Sequence, residues 1–402
     1  MPISTTFDQF IRASVARREE LDAFLSPDQP TWAKFDPELG YVLGHSMPRD
    51  GLDGCLTISN AGADGARRSV VYADRPCRIH TFGDSFTLCH QVSDHETWQE
   101  VLAAHFGEPV RNYGMGGYGA YQAYRRLRKV ESLGPGAEYL ILYIWGGEDH
   151  YRSALRCRSA LTHVWRGRMG TQMFHGNFWP NLEMDLGSGT LVERDNPLAT
   201  PEALYHMTDP EFMVEALRDD LMMQLSAYLK GHIREVDLKL LGQLAEILRL
   251  PRAPGAEDER AWVSALRDAY AFATSREVID MALEFAARHQ RKLLIALFCP
   301  HITRQLITAG RRDDQPVVDH LRARGARVFD MNLAHAEDFK NFNLDVDAYL
   351  RRFLLGHYHP AGNHFFAFAI RKTLVDWLEP KPPTYRGGDE RLIDFRGYLE
   401  QA

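Results

Sequence analysis

The sequence predicts an α/β fold on a mostly parallel sheet, interrupted by a largely helical insertion. Three observations predict it. Apolar stretches at 140–145 and 293–298 have no polar side in their pattern, and strands of that kind lie in a sheet covered on both faces. Helical patterns separate these strands from each other and from shorter strand candidates. The alternation stops near residue 151 and resumes near 291, so the surplus of a 402-residue chain over one domain of roughly 150 residues falls mainly in one block.

The elements follow in order. Residues 5–25 carry a helical stripe through Phe7, Phe10, Ile11, Val15, Leu21 and Phe24, opened by Ser and Thr residues that can cap it. Residues 26–77 are rich in Pro, Gly and Asp and read as an irregular segment with a few short strands, at apolar pairs such as Tyr41-Val42 and Val70-Val71. A strand is expected at 78–82, stopped by Gly83. A helix is expected over 97–106, a second strand over 108–113 and a helix over 120–133. The third strand is 140–145. In the insertion, a hairpin is expected at 182–186 and 190–193 around Gly187-Ser188-Gly189. Helices follow at 211–232, 236–249 and 259–289. The parallel pattern returns at 292–298, with a helix near 315–324, a strand at 326–331 and a closing helix at 365–378. The expected organisation is therefore an extension (1–77), an α/β domain (78–150 and 291–379), an inserted hairpin with helical cap (151–290) and a tail (380–402).

Composition narrows the function classes. Hydrophobic residues make up 45% and charged residues 25%, an ordinary globular mix that excludes collagenous or wholly disordered chains. The formal charge is -7, so there is no pervasive basic field and nucleic acid is not an expected partner. The apolar runs fall far short of the roughly 18 residues that span a bilayer. The N-terminal stretch lacks the apolar core of a secretory signal, and the 5 cysteines are scattered without a CxxC pair. A cytoplasmic protein with neutral thiols is expected.

The chemistry centres on Gly83-Asp84-Ser85-Phe86-Thr87. A serine just past a parallel strand stands at the rim where α/β proteins bind ligands. The preceding glycine lets the chain turn without a Cβ clash. A serine hydroxyl needs a base, usually His, to attack a carbonyl.

These residues, with Glu96-Thr97-Trp98 and Asn112-Tyr113-Gly114-Met115-Gly116-Gly117-Tyr118-Gly119 followed by Gln122, resemble the motif blocks of the SGNH (GDSL-like) hydrolases. Phe35-Asp36-Pro37-Glu38-Leu39-Gly40-Tyr41 and Gly65-Ala66-Arg67 resemble the N-terminal extension of one subgroup. The resemblance covers about 35–150 and 290–378. It implies a three-layer α/β/α sandwich (SGNH/flavodoxin-like) in which Ser85 is the nucleophile. The backbone N–H groups of Ser85 and Gly117, with an Asn side chain from the third block, would then hold the oxyanion.

Two blocks depart from the pattern. The third reads Gly146-Gly147-Glu148-Asp149-His150, with Glu148 where the family has Asn. An ionised Glu cannot donate to an oxyanion, so Glu148 is protonated, turned away or differently employed. The fifth reads Leu355-Gly356-His357-Tyr358-His359-Pro360-Ala361-Gly362-Asn363. The spacing to Gly362 makes His357 the candidate base and His359 the second candidate. The family's orienting Asp would fall at 354 or 355, and both are leucine. Asp345, Asp347, Glu148 or a backbone carbonyl could substitute.

The catalytic candidates are thus Ser85, His357, Gly117, Glu148 and Asp149, and the candidates for substrate contact are Asp84, Arg152 and His359. Arg152, Arg156, Arg158, Arg166 and Arg168 follow the third block, and Arg125, Arg126, Arg128 and Lys129 lie on the helix before it. Arginines at the rim could hold a carboxylate or phosphate, Arg152 foremost. The insertion reads as a lid over the serine or a subunit interface of a homo-oligomer. The expected function is hydrolysis or transfer of the acyl group of a small ester, with no cofactor. Two alternatives stay open. One is a binding protein that has lost hydrolysis. The other is a metal-dependent enzyme using His357, His359 and His364 with Glu148 and Asp149.

Overall fold

The computed structural model describes residues 6–28, 31–134, 136–158, 176–251 and 258–386. In chain order its main strands are β1 (Ala33–Asp36), β2 (Gly40–Leu43), β3 (Ile79–Phe82), β4 (Arg111–Asn112), β5 (Tyr139–Trp145), β6 (Asn181–Asp185), β7 (Thr190–Arg194), β8 (Lys292–Phe298) and β9 (Arg327–Asp330). Five of them form the central sheet in the order β4-β3-β5-β8-β9, and every neighbouring pair is parallel. The longest ladder joins β5 to β8 from Tyr139–Lys292 to Trp145–Phe298.

The period of two along β5 explains why the sheet has two dry faces. Tyr139, Ile141 and Tyr143 point into one core with Leu294, Ala296 and Phe298, covered by the helices Trp98–Phe106 and Pro360–Trp377. Leu140, Leu142 and Ile144 point into the other, covered by the helix Ala120–Ser132 and the second half of Glu259–Arg288. The architecture is a three-layer α/β/α sandwich: the apolar strands predict the sheet covered on both faces, and the resemblance implies the sandwich.

A third core lies outside the sandwich. Phe10, Leu21, Trp32 and Tyr41 of the N-terminal region share it with Met213, Met222 and other residues of the insertion. Trp262, Leu266 and Tyr270, in the first half of Glu259–Arg288, belong to it as well. That helix therefore serves two cores along its 30 residues. Among the described residues, no helix is long and apolar enough to cross a membrane.

Several elements differ from the sequence expectation. The single stripe at 5–25 forms two helices, Phe7–Arg12 and Arg18–Leu25. The break falls where the Ser14 hydroxyl bonds back to the Phe10 carbonyl at 2.7 Å and the Ala16 N–H leaves the helix for the Met207 carbonyl. The expected helix 211–232 is also two, Pro210–Leu217 and Leu221–Leu229, because Asp220 caps the second through the Met223 N–H at 2.8 Å. The strand at 108–113 shrinks to Arg111–Asn112. Val70-Val71 is not a strand, and both N–H groups go to the Glu100 carboxylate. The closing helix starts at Pro360, not 365. Helices Pro300–Ala309, Met331–Phe339 and Val346–Leu350 have no counterpart in the expectation.

Candidate active site

Ser85 is the first residue of a short helix, Ser85–Leu88, that leaves the end of β3. Asp84 caps it, its Oδ1 accepting from the Phe86 N–H at 2.9 Å. Gly83 allows the turn. A Cβ there would stand 2.2 Å from Thr87 Oγ1 and 2.9 Å from the Tyr143 Cβ, closer than side chains pack. The Thr97 hydroxyl caps the next long helix, and the Trp98 indole N–H donates to the Phe86 carbonyl at 3.2 Å. The 96–98 motif thus braces the Ser85 turn from below.

His357 lies on a two-residue strand, His357–Tyr358, paired with Leu354–Leu355. Its Nε2 is 2.8 Å from Ser85 Oγ. Its ring packs between Phe86 and His90, both with centroids at 5.0 Å. The other nitrogen, Nδ1, faces no carboxylate. It faces Gln91 Oε1 at 3.3 Å, and the same oxygen accepts from the His357 backbone N–H at 2.8 Å. Gln91 Nε2 donates to the Asp50 carbonyl at 2.9 Å, which fixes the amide with its oxygen toward the ring. An amide oxygen only accepts. Nδ1 therefore carries the proton, and Nε2 is left as the acceptor for the Ser85 hydroxyl.

None of the expected substitutes for the orienting carboxylate plays that part. Asp345 caps a helix through the Ala348 N–H at 2.7 Å. Asp347 pairs with Arg304 at 2.5 Å. Glu148 pairs with Arg152, four residues on. Gln91 carries no signal in the motif pattern. It lies six residues beyond Ser85 with a left-handed backbone at φ 68°, and only the fold brings it under His357.

Burial and the charge of Arg152 push His357 down to about 4, so its ring is neutral near neutral pH. Burial raises Asp84 to about 6, against the pull of the Phe86 N–H and Arg152. Burial raises Asp149 well above the usual carboxyl range, and Asp84 raises it further. The Asp149 side chain accepts from the Trp145 N–H at 3.0 Å, which anchors the loop at the end of β5.

In the second block, Asn112 Oδ1 accepts from the Gly114 N–H at 2.9 Å. Gly117 adopts φ 85°, a left-handed conformation that favours glycine. Its carbonyl accepts from Arg158 Nη1 at 3.0 Å. Among the described residues, neither the Ser85 nor the Gly117 backbone N–H has a protein acceptor. Gln122 closes the block. Its Oε1 accepts from the Gly119 N–H at 3.0 Å, and its Nε2 donates to the Pro180 carbonyl at 2.8 Å.

The structure thus gathers Ser85, Asp84, His357 and Arg152 at the carboxyl ends of β3 and β5. It does not place His359 at Ser85. That ring caps the helix Pro360–Trp377, its Nδ1 accepting from the Ala361 N–H at 3.2 Å. The arginine helix before the third block is structural. Arg125 and Lys129 pair with Glu38, Asp195 and Asp36, and Arg128 pairs with Glu193. Arg126 donates to the Gly114 and Gly65 carbonyls, and Arg156 pairs with Glu183. Arg166 and Arg168 lie outside the described residues. Among the described residues, no group of three or more His, Cys, Asp or Glu is placed to hold a metal ion. A cavity of about 710 Å³ opens beside the dyad, walled by Trp32, His90 and Gln91 and by residues between 45 and 60.

No family model matches the chain, and no curated protein matches it. Two solved structures are similar in part. One is a protein assigned to the lipolytic G-D-S-L family from Desulfitobacterium hafniense DCB-2, with 11% identity, a TM-score of 0.33, and coverage of 73% of this chain and 97% of that one. The other has 14% identity, a TM-score of 0.35, and coverage of 74% of this chain and 95% of its own.

Proposed function

We propose that the protein cleaves or transfers the acyl group of a small ester through an acyl-enzyme on Ser85. The observation that carries this reading is the 2.8 Å contact from Ser85 Oγ to His357 Nε2, with the far nitrogen of the ring held by Gln91. In the first step Ser85 Oγ bonds to the acyl carbon and its proton passes to Nε2. The tetrahedral oxyanion is met by the N–H groups of Ser85 and Gly117. Arg152 supplies the positive charge on the side where the SGNH pattern has Asn. Collapse breaks the bond to the alkoxide, which takes the proton from His357. Water or an alcohol then attacks the acyl-enzyme, giving its proton to Nε2, and the proton returns to Ser85.

The test is labelling of the intact protein with a fluorophosphonate and turnover of an activated acyl ester. Labelling at Ser85 is expected, lost in Ser85→Ala and slowed roughly 10²- to 10⁴-fold in His357→Ala. A folded protein that neither labels nor turns over ester would instead support a binding role. The ion-paired Glu148 and the neutral Gln91 are the features favouring that second reading.

A further inference from the structure

Four cationic side chains from separate parts of the chain converge beyond the oxyanion side of Ser85. Arg152 is at the inner end. It is buried and paired with Glu148, with Asp149 at 3.5 Å, and among the described residues its Nε has no hydrogen-bond partner. Arg158 is also buried, donates to the Gly117 carbonyl and lies 5.8 Å from the centre of the Trp179 ring. Lys230 Nζ and the Arg267 guanidinium lie 5.7 Å and 6.0 Å from the centre of the same ring, Tyr151. Arg267 pairs with Asp268 at 2.7 Å. Among the described residues, Lys230 has no carboxylate within ion-pair distance. Partial burial and then the fields of Arg152, Arg158 and Arg267 hold its ammonium down to about 8.

Gathering like charges costs free energy, more so where water is partly excluded. Glu148 and, at 3.5 Å, Asp149 beside Arg152, and Asp268 beside Arg267, offset part of it, and Lys230 has no carboxylate of its own among the described residues. Arginine forks and a lysine ammonium together suit a compact oxyanion, which each can meet with charge-assisted hydrogen bonds. From Arg152 at the oxyanion side the cluster runs past the Gly117 loop to the helices Leu221–Leu229 and Glu259–Arg288, so Arg158, Lys230 and Arg267 lie beside the reacting carbonyl's position and not on it.

We propose that Arg152, Arg158, Lys230 and Arg267 form a subsite for an oxyanion group of the substrate, a carboxylate or a phosphate, so that the ester acted on is an acidic molecule. What this says of the substrate rests on Ser85 being the nucleophile, whereas the anion site itself does not.

The experiment uses the intact protein and its Ser85→Ala variant. Each is titrated with inorganic phosphate and with succinate, against sodium chloride at matched ionic strength, and followed by calorimetry and thermal unfolding. Saturable binding of at least one oxyanion to both proteins is expected, and which one binds distinguishes phosphate from carboxylate. Lys230→Gln and Arg267→Gln should each weaken it about tenfold, the loss of one charge-assisted contact, and Lys230→Arg should keep it. No saturable binding to the folded protein overturns the proposal, as does affinity unchanged in both Gln variants. Labelling of Ser85 without oxyanion binding removes the subsite and leaves the hydrolase reading. Binding without labelling keeps the subsite and removes that reading.

Discussion

At Gln91 a neutral amide oxygen faces the His357 nitrogen that a carboxylate faces in the SGNH pattern. It fixes the tautomer but adds no negative charge to steady an imidazolium. With burial and Arg152 acting unopposed, the ring is pushed down to about 4. A lowered histidine is neutral, and so able to accept a proton, above that value and loses this ability as pH falls through it. The acid limb of kcat/KM in ester turnover is therefore expected near pH 4. Gln91→Glu should move that limb upward by about one pH unit or more, because a carboxylate favours the charged ring. Gln91→Ala should lower kcat roughly tenfold or more through lost orientation. An acid limb that stays put in Gln91→Glu would show that Gln91 does not govern the ring. Arg152→Gln should also raise the limb, by removing a repelling charge.

At the scale of elements, the turn carrying Ser85, His90 and Gln91 is held from outside by Arg67. Its guanidinium is buried and donates to Asp94 Oδ1 at 2.9 Å and to the carbonyls of Leu88, Cys89 and Val92 at 2.6–2.7 Å. One side chain thus satisfies carbonyls at the end of the helix Ser85–Leu88 and in the irregular segment beyond it. Arg67→Met should cost about 3–5 kcal/mol, because it leaves Asp94 buried and unpaired. A urea titration by tryptophan fluorescence measures this, and a loss below about 1 kcal/mol would contradict the role given to Arg67. Gly83→Ala should cost about 1–3 kcal/mol through its clash with Thr87 and Tyr143. Ester turnover should fall along with stability, since the same turn aims Ser85.

At the scale of the molecule, the N-terminal region and the insertion bury one another. Phe10, Leu21 and Trp32 share a core with Met213, Met222 and Trp262, while the second half of Glu259–Arg288 covers the sheet. Excising residues 210–250 should therefore expose the N-terminal helices as well as the stump of the insertion, since much of their apolar cover leaves with it. Rapid amide exchange across 7–25 and a strong tendency to aggregate are expected. A soluble, truncated chain with native exchange protection at 7–25 would show the two regions to be independent.

The parallel sheet, the Ser85 turn and the histidine that meets it were legible in the sequence because each is local. Apolar strands declare a two-faced sheet, Gly83-Asp84-Ser85 declares a turn after a strand, and the His357 to Gly362 spacing picks one histidine of two. Helix boundaries were less legible, because Ser14 and Asp220 break continuous stripes by polar bonds that periodicity does not register. The partner of His357 was not legible at all. Gln91 reaches it across 266 residues, through a left-handed turn that Arg67 holds and an amide that the Asp50 carbonyl orients. The same holds for the four cations, which come from three separate stretches of chain. The sequence by itself determined what could be read from neighbours along the chain: the sheet, the turn and the pairing of Ser85 with His357. Only the tertiary structure decided which distant polar groups face them, because hydrogen bonds and charge fields depend on distance in space and leave no periodic trace in the chain.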